Sequence, residues 1–179
     1  MKNQFLEDSG FIIKKQKHFY EKYLAEHVFD YEDIFVYKSI QEIGEPNFLE
    51  VFDQVTKDDA ERSVAVELYY QSMKEDAGEK FDQKAWQIVI LDNKNIGMIM
   101  PQVFYDKPEE GSVFHFGLLP EYRKKQYGRL LHSNCLDFLK KQGVTRYIGS
   151  TLIENYAMNK LFEINGCKKT MTRYFYHKV

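Results

Sequence analysis

Gly117-Leu118-Leu119-Pro120-Glu121-Tyr122-Arg123-Lys124-Lys125-Gln126-Tyr127-Gly128-Arg129-Leu130-Leu131 joins an apolar, aromatic segment to an amphipathic one. Upstream, Ser112–Leu119 reads as a strand. Downstream, Leu130, Leu131, Cys135, Phe138 and Leu139 recur at helical spacing; Lys140 and Lys141 fill the last turn and Gly143 follows as a stop. The join therefore sets a cluster of cations and one glycine where a helix begins. First-turn N–H groups lack intrahelical partners and the helix dipole favours negative charge there, so the turn suits a pyrophosphate. Gly128 would allow close approach, and Arg123, Lys124 or Arg129 would add charge. A solvated basic turn has the same composition, and the turn alone does not separate the two readings.

Working outward, Trp86–Leu91 and Ile96–Tyr105 are strand-like and flank Asp92-Asn93-Lys94-Asn95, a polar four-residue turn, so they read as a hairpin. Pro101 interrupts the second strand and points to an edge or a bulge. Ile34–Ile40 is β-branched and aromatic, a further strand. Pro46 suits a first helical turn and leads Phe48, Val51, Phe52 and Val55 at three-to-four spacing. Asp58 or Asp59 is expected to cap a second helix carrying Ala60, Val64, Leu68 and Tyr69 on one face, fading near Gly78.

Beyond the central helix, Arg146–Thr151 reads as a strand. A helix starts at about Asn155, with Ala157, Met158, Leu161 and Phe162 on one face, and Gly166 stops it. Thr170–Lys178 alternates as a closing strand. In residues 1–33, Phe11-Ile12-Ile13 looks like a strand while Tyr20, Leu24 and Val28 repeat at helical spacing; hairpin and helix both stay open. The order is roughly β-α-α-β-β-β-α-β-α-β, a mixed sheet covered by helices.

With those elements in place, the run from Gly117 resembles the coenzyme A loop of the GNAT acetyltransferase superfamily: Arg or Gln, two residues, Gly, one residue, then Gly or Ala. Arg123 and Gly128 match, while Gln126 occupies the first glycine position. Twenty-seven residues after Gly128 comes Asn155-x-x-Met158-x-x-Leu161-Phe162-Glu163-x-x-Gly166, similar to the family's Asn…Leu-Tyr-Glu-x-x-Gly-Phe helix. The clear resemblance covers about residues 85–179, and the order of elements extends it back to about residue 34. It implies an α/β fold of the α+β type, with a mostly antiparallel mixed sheet flanked by helices and splayed strands forming an acyl-CoA cleft. Residues 1–33 are then an N-terminal extension packed on a domain of residues 34–179.

The resemblance also implies acetyl-CoA as acyl donor. The pantetheine arm would pair with backbone groups around Phe116–Leu118, with Phe116 and Leu118 as the contacts. The pyrophosphate would rest on Arg123, Lys124, Lys125, Gln126, Tyr127, Gly128 and Arg129. Asn155 would bind the arm through its side-chain amide, and Asn is also a favoured helix cap. Phe162 stands where many members carry a tyrosine thought to protonate the departing thiolate, and phenylalanine donates no proton. A thiol with a pKa of about 8.5 is a tolerable leaving group near neutrality, so inactivity does not follow. Gln126 adds a side chain that could crowd the phosphates or donate to one.

An acceptor ammonium must lose a proton before it attacks a thioester. His115 lies beside the expected acetyl site with a suitable intrinsic pKa, although alternation and a possible bulge leave its direction open. Tyr105 and Glu110 are further candidates. Asp58, Asp59, Glu61 and Glu67, read together on the second helix, could attract a cationic substrate; a solvated helix face accounts for them too. Tyr69, Tyr70 or Tyr105 could line an amine pocket.

Composition narrows the classes. In 179 residues, 25 Lys+Arg stand against 27 Asp+Glu, so any anion site is local rather than a global pull toward nucleic acid or anionic lipid. Aromatics make up 16% of the chain, which excludes disorder. The first residues lack an apolar core of the signal-peptide type, and no apolar run is long enough to span a membrane. Cys135 and Cys167 make no disulfide framework, and His18, His27, His115, His132 and His177 show no paired metal-ligand spacing. Gly143 to Gly149 has no lysine and is no phosphate loop of the Walker type.

The expectation is a cytoplasmic acetyl-CoA-dependent N-acyltransferase, monomer or homodimer, acting directly on a small-molecule primary amine without nucleic acid, membrane or metal. The alternative is a catalytically weak or inactive acyl-CoA-binding sensor of the same fold.

Overall fold

The structure, a computed structural model, describes residues 3–29 and 34–178. In chain order the elements are α1 (Gln4–Asp8), β1 (Phe11–Tyr23), β2 (Val36–Ser39), α2 (Ile40–Ile43), α3 (Glu45–Thr56), α4 (Val66–Ala77), β3 (Gln87–Leu91) and β4 (Lys94–Val103). There follow β5 (Glu110–Leu118), α5 (Tyr127–Lys141), β6 (Arg146–Leu152), α6 (Tyr156–Ile164) and β7 (Lys168–Lys178). The strands pair mostly antiparallel and helices flank them, the α/β architecture expected from the sequence. Two compact units are distinguished: residues 23–147, and residues 1–22 with 148–179.

In the larger unit β2, β3, β4 and β5 form consecutive antiparallel pairs, and β6 begins parallel to β5 at Glu110↔Arg146 and Gly111↔Tyr147. The β3–β4 turn is tighter than the four residues expected. Leu91 pairs with Lys94, and Asp92 and Asn93 both take positive φ (49° and 60°), the two-residue turn whose twist matches a hairpin. Two apolar clusters hold the unit. In one, Phe48, Phe52, Tyr70, Trp86 and Met98 pack α3 and α4 on the strands; in the other, Ile96, Ile99 and Leu118 meet Leu131 and Cys135 of α5.

The second helix is shorter than expected. It starts at Val66, with Ala65 as its N-cap, and residues 57–65 form a connection. Local bonding explains the difference. Asp59 N–H donates to Thr56 O (2.9 Å), Asp59 Oδ1 accepts from Glu61 N–H (2.9 Å), and Arg62 N–H donates to Asp59 O (3.0 Å). Such short-range bonds offer the backbone an alternative to helix. Arg62 fixes the connection to the end of α3: its Nη2 pairs with Asp53 Oδ1 at 2.7 Å and its Nη1 donates to Asp53 O and Thr56 Oγ1. Of the four acidic residues assigned to this helix, Asp58, Asp59 and Glu61 therefore lie before it and only Glu67 is on it.

In the smaller unit β1 and β7 run antiparallel, from Phe11↔Lys178 to Glu21↔Lys168. The arm left open between hairpin and helix is thus a short helix followed by a long strand. Tyr20 is buried; its ring stacks on Phe162 at 4.4 Å and its hydroxyl donates to Asn159 Oδ1 at 2.8 Å, tying β1 to α6.

Candidate active site

The register between β4 and β5 slips between Ile99↔Phe116 and Pro101↔Val113, so β5 carries one residue more than its partner between those pairs. A strand normally sends successive side chains to opposite faces, and a bulge breaks that rule. Here Val113, Phe116 and Leu118 pack with Leu131 and Cys135 of α5. Phe114 instead joins the cluster of Phe48, Phe52 and Trp86, and its neighbour His115 turns the same way, with its ring 6.2 Å from that of Phe52. Two consecutive side chains thus face α3 and α4. The bulge puts Phe114 and His115 on one face, and Pro101 lies at the slip.

His115 has two distinct neighbours. Its Nδ1 lies 3.7 Å from Asp59 Oδ2, with 19% of the side chain exposed. Its Nε2 lies over Gly117: a β-carbon built there would sit 3.8 Å from Nε2 and would also overlap Val55 Cγ1. Burial lowers the imidazole pKa, and the charges of Asp59 and Glu61 partly oppose this. A lowered pKa keeps His115 neutral and proton-accepting around neutral pH. Tyr69 completes the group, its hydroxyl donating to Asp59 Oδ2 at 3.3 Å. Burial, reinforced by Asp59, raises the Tyr69 pKa, so the phenol stays protonated.

Downstream of Gly117, the strand end presents main-chain groups. Leu119 N–H donates to Ile96 O at 2.9 Å, so by ladder alternation Leu118 and Phe116 turn their N–H and C=O away from β4. β6 pairs with β5 at Glu110 and Gly111, at the other end of β5 from Gly117. Arg123 bends back and donates from Nε to Leu118 O at 3.0 Å, tying the loop to the strand end. Lys124 and Gln126 both adopt left-handed backbone (φ 62° and 64°), and Gln126 is the N-cap of α5 with no capping bond from its side chain. Arg123, Lys124, Lys125 and Gln126 are exposed, and the first turn of α5 holds no acidic residue. An exposed basic turn at the start of a 15-residue helix, without a competing carboxylate, fits a phosphate group.

Phe116, Leu118 and residues 123–129 are thus brought together in one unit with His115. In the other unit, Asn155 caps α6, its Oδ1 accepting from Met158 N–H at 3.1 Å. Phe162 is 1% exposed and stacked on Tyr20. Glu110 and Tyr105 are the further base candidates, and Tyr70 is a candidate for the amine pocket. Glu110 pairs with Arg146 at 2.9 Å and lies five residues, roughly 16 Å along the strand, from His115. Tyr105 is exposed after β4, and Tyr70 is buried in the core beside Trp86. Asp59 was not tied to His115 by the sequence: the two are far apart along the chain, and Asp59 carried the signature of a helix cap.

Comparison with known proteins bears on this arrangement. The acetyltransferase (GNAT) family model matches residues 48–166, about two thirds of the sequence. The chain belongs to this family. Its members use acetyl-CoA as the acyl donor. No curated protein matches the sequence. Among solved structures, a GCN5-related N-acetyltransferase from Sphaerobacter thermophilus superposes with a TM-score of 0.75 at 11% identity, covering 97% of this chain and 54% of that one. A GCN5-related glucosamine N-acetyltransferase region of a fungal multi-domain β-N-acetylglucosaminidase gives 0.70 at 14% identity, covering 97% and 22%. The ribosomal-protein-S18-alanine N-acetyltransferase of Escherichia coli gives 0.58 at 18% identity, covering 76% and 79%. At these identities the likeness is one of fold. The chain spans about half the length of the first of these and less than a quarter of the second.

Among the described residues no group of three or more His, Cys, Asp and Glu could hold a metal, and no helix is long and apolar enough to cross a membrane.

Proposed function

We propose that this protein moves an acetyl group from acetyl-CoA directly to a primary amine of a small molecule in the cytoplasm, with His115 as general base. The observation that carries the reading is the place of His115 on β5, on the same face as Gly117 and beside the main-chain groups of Phe116 and Leu118. Those groups are proposed to pair with the pantetheine arm, and the amides and cations of residues 123–129 to hold the pyrophosphate. The Leu118 N–H would donate to the thioester oxygen as negative charge develops on it. His115 would take the proton that the acceptor ammonium must shed, and no covalent enzyme intermediate is needed. Glucosamine and an alanine of ribosomal protein S18, named for two of the similar folds, both offer amino groups, which is in keeping with N-acetylation.

The test is coenzyme A release, followed by thiol detection, across a panel of small primary amines. Release above the hydrolysis blank, reduced roughly 10²–10⁴-fold in His115→Gln, is the expected result. No release with any amine, together with no acetyl-CoA binding by calorimetry at millimolar ligand, would sink the proposal.

Phe162 motivates a second reading. It has no hydroxyl to protonate a thiolate, and it is packed against Tyr20 as a core residue. Tight acetyl-CoA binding with no release would favour an acyl-CoA-binding sensor over an enzyme.

A further inference from the structure

We propose that Asp59 is the positioning residue for the His115 base, holding the imidazole so that Nδ1 faces its carboxylate and Nε2 faces Gly117. This rests on the reading of His115 as the base and adds how that base is oriented. The geometry divides the two ring nitrogens between two surroundings: Asp59 Oδ2 is 3.7 Å from Nδ1, and the bare Gly117 backbone lies under Nε2. An Nδ1–H directed at a carboxylate fixes the tautomer that leaves the Nε2 lone pair free to accept a proton. After proton uptake the imidazolium stands beside a negative charge rather than buried alone. The separation is longer than a hydrogen bond and suits a pair that tightens when the ring is charged.

Asp59 is itself held for this task. Its Oδ1 accepts from Glu61 N–H, its Oδ2 accepts from the Tyr69 hydroxyl, and Arg62 locks the connection to Asp53 and Thr56 on α3. Residues 57–65 contribute the carboxylates of Asp59 and Glu61, with Arg62 engaged by Asp53. Tyr69 of α4 reaches the ring through Asp59, and α3 supplies the neutral Phe52.

The experiment uses full-length protein with Asp59→Asn and Asp59→Glu. Asparagine still accepts from Glu61 N–H, so the turn is retained while the charge is lost. Two readouts are taken: NMR titration of the His115 ring nitrogens, and the pH profile of kcat/KM with whichever amine the panel yields. In Asp59→Asn the ring should titrate at lower pH and lose its single tautomer. The acid limb of kcat/KM should move to lower pH and its plateau fall about tenfold or more, a part of what a base contributes. Asp59→Glu should restore part of both.

An unchanged His115 titration in Asp59→Asn overturns the pairing, whatever the activity. A shifted titration with an unaltered rate profile overturns the positioning role. A shifted titration in a protein that acetylates no amine supports the pairing and counts against the transferase reading instead, so the two failures are told apart. If Asp59→Asn does not fold, Tyr69→Phe removes one donor to Oδ2 and should raise the His115 pKa by leaving the carboxylate less satisfied; no movement there overturns the arrangement.

Discussion

Gly97 of β4 and Gly117 of β5 lie so close across the ladder that a β-carbon on Gly97 would overlap the Gly117 carbonyl oxygen. The obstacle is backbone in the middle of two paired strands, which cannot rotate away as a side chain could. Gly97→Ala should therefore destabilise the protein by about 1–3 kcal/mol, the usual range for overpacking, as read from chemical denaturation. Gly117→Ala meets a different obstacle, the Val55 side chain on α3. Adding Val55→Ala should recover much of the stability lost there, and no such partner change should rescue Gly97→Ala.

Gln126 occupies left-handed backbone that the family's pattern usually gives to glycine. A non-glycine residue in that conformation carries a cost of about 1 kcal/mol. Its side chain offers no capping bond in return. Gln126→Gly should raise stability by roughly 0.5–1 kcal/mol, and Gln126→Val should lower it, because β-branched residues tolerate positive φ worst. Thermal melts of the three proteins, recorded together, check the order Gly above Gln above Val.

What could be read from the sequence follows from which forces are local. Helical spacing of Phe48, Val51, Phe52 and Val55, and of Leu130 to Leu139, located α3 and α5 because one buried face repeats every turn. The basic turn before α5 was legible for the same reason: charge and glycine sit next to the helix they serve. The arm of residues 11–23 was not. Its strand exists because β7, at the other end of the chain, pairs with it, and no local pattern records that partner. The start of α4 was misjudged because Asp59 has the chemistry of a cap and uses it in a turn held by Arg62. The direction of His115 depended on one extra residue in β5, a property of the register with β4 that neither strand carries alone.

Both cysteines are buried, and burial raises their pKa values; Cys167 is pushed up to about 12. Reaction with disulfides or alkylating agents requires the thiolate and access, and the native protein provides neither. Native protein at pH 8 should show no fast thiol with a disulfide reagent, while two should react once it is denatured. Any acetyl transfer found with the amine panel should survive the same treatment of the native protein. A fast-reacting thiol in the folded state would contradict the packing of Cys135 against α5's neighbours or of Cys167 after α6.

Because burial lowers the pKa of His115 below its ordinary 6.5, the unfolded chain binds a proton at pH values where the folded protein does not. Stability then rises with pH across the window between the folded value and about 6.5, and it falls as the solution is acidified through that window. One histidine can contribute at most about 1.4 kcal/mol per pH unit there. His18 shifts in the same direction through burial and the nearby Lys169, so the wild-type slope contains both. His115→Gln keeps a polar side chain of similar reach without the titration, and should flatten the dependence of denaturation midpoint on pH between about 5 and 6.5. Adding His18→Gln should flatten it further. A slope of opposite sign, with stability increasing on acidification in that range, would mean that Asp59 and Glu61 outweigh burial and hold His115 protonated.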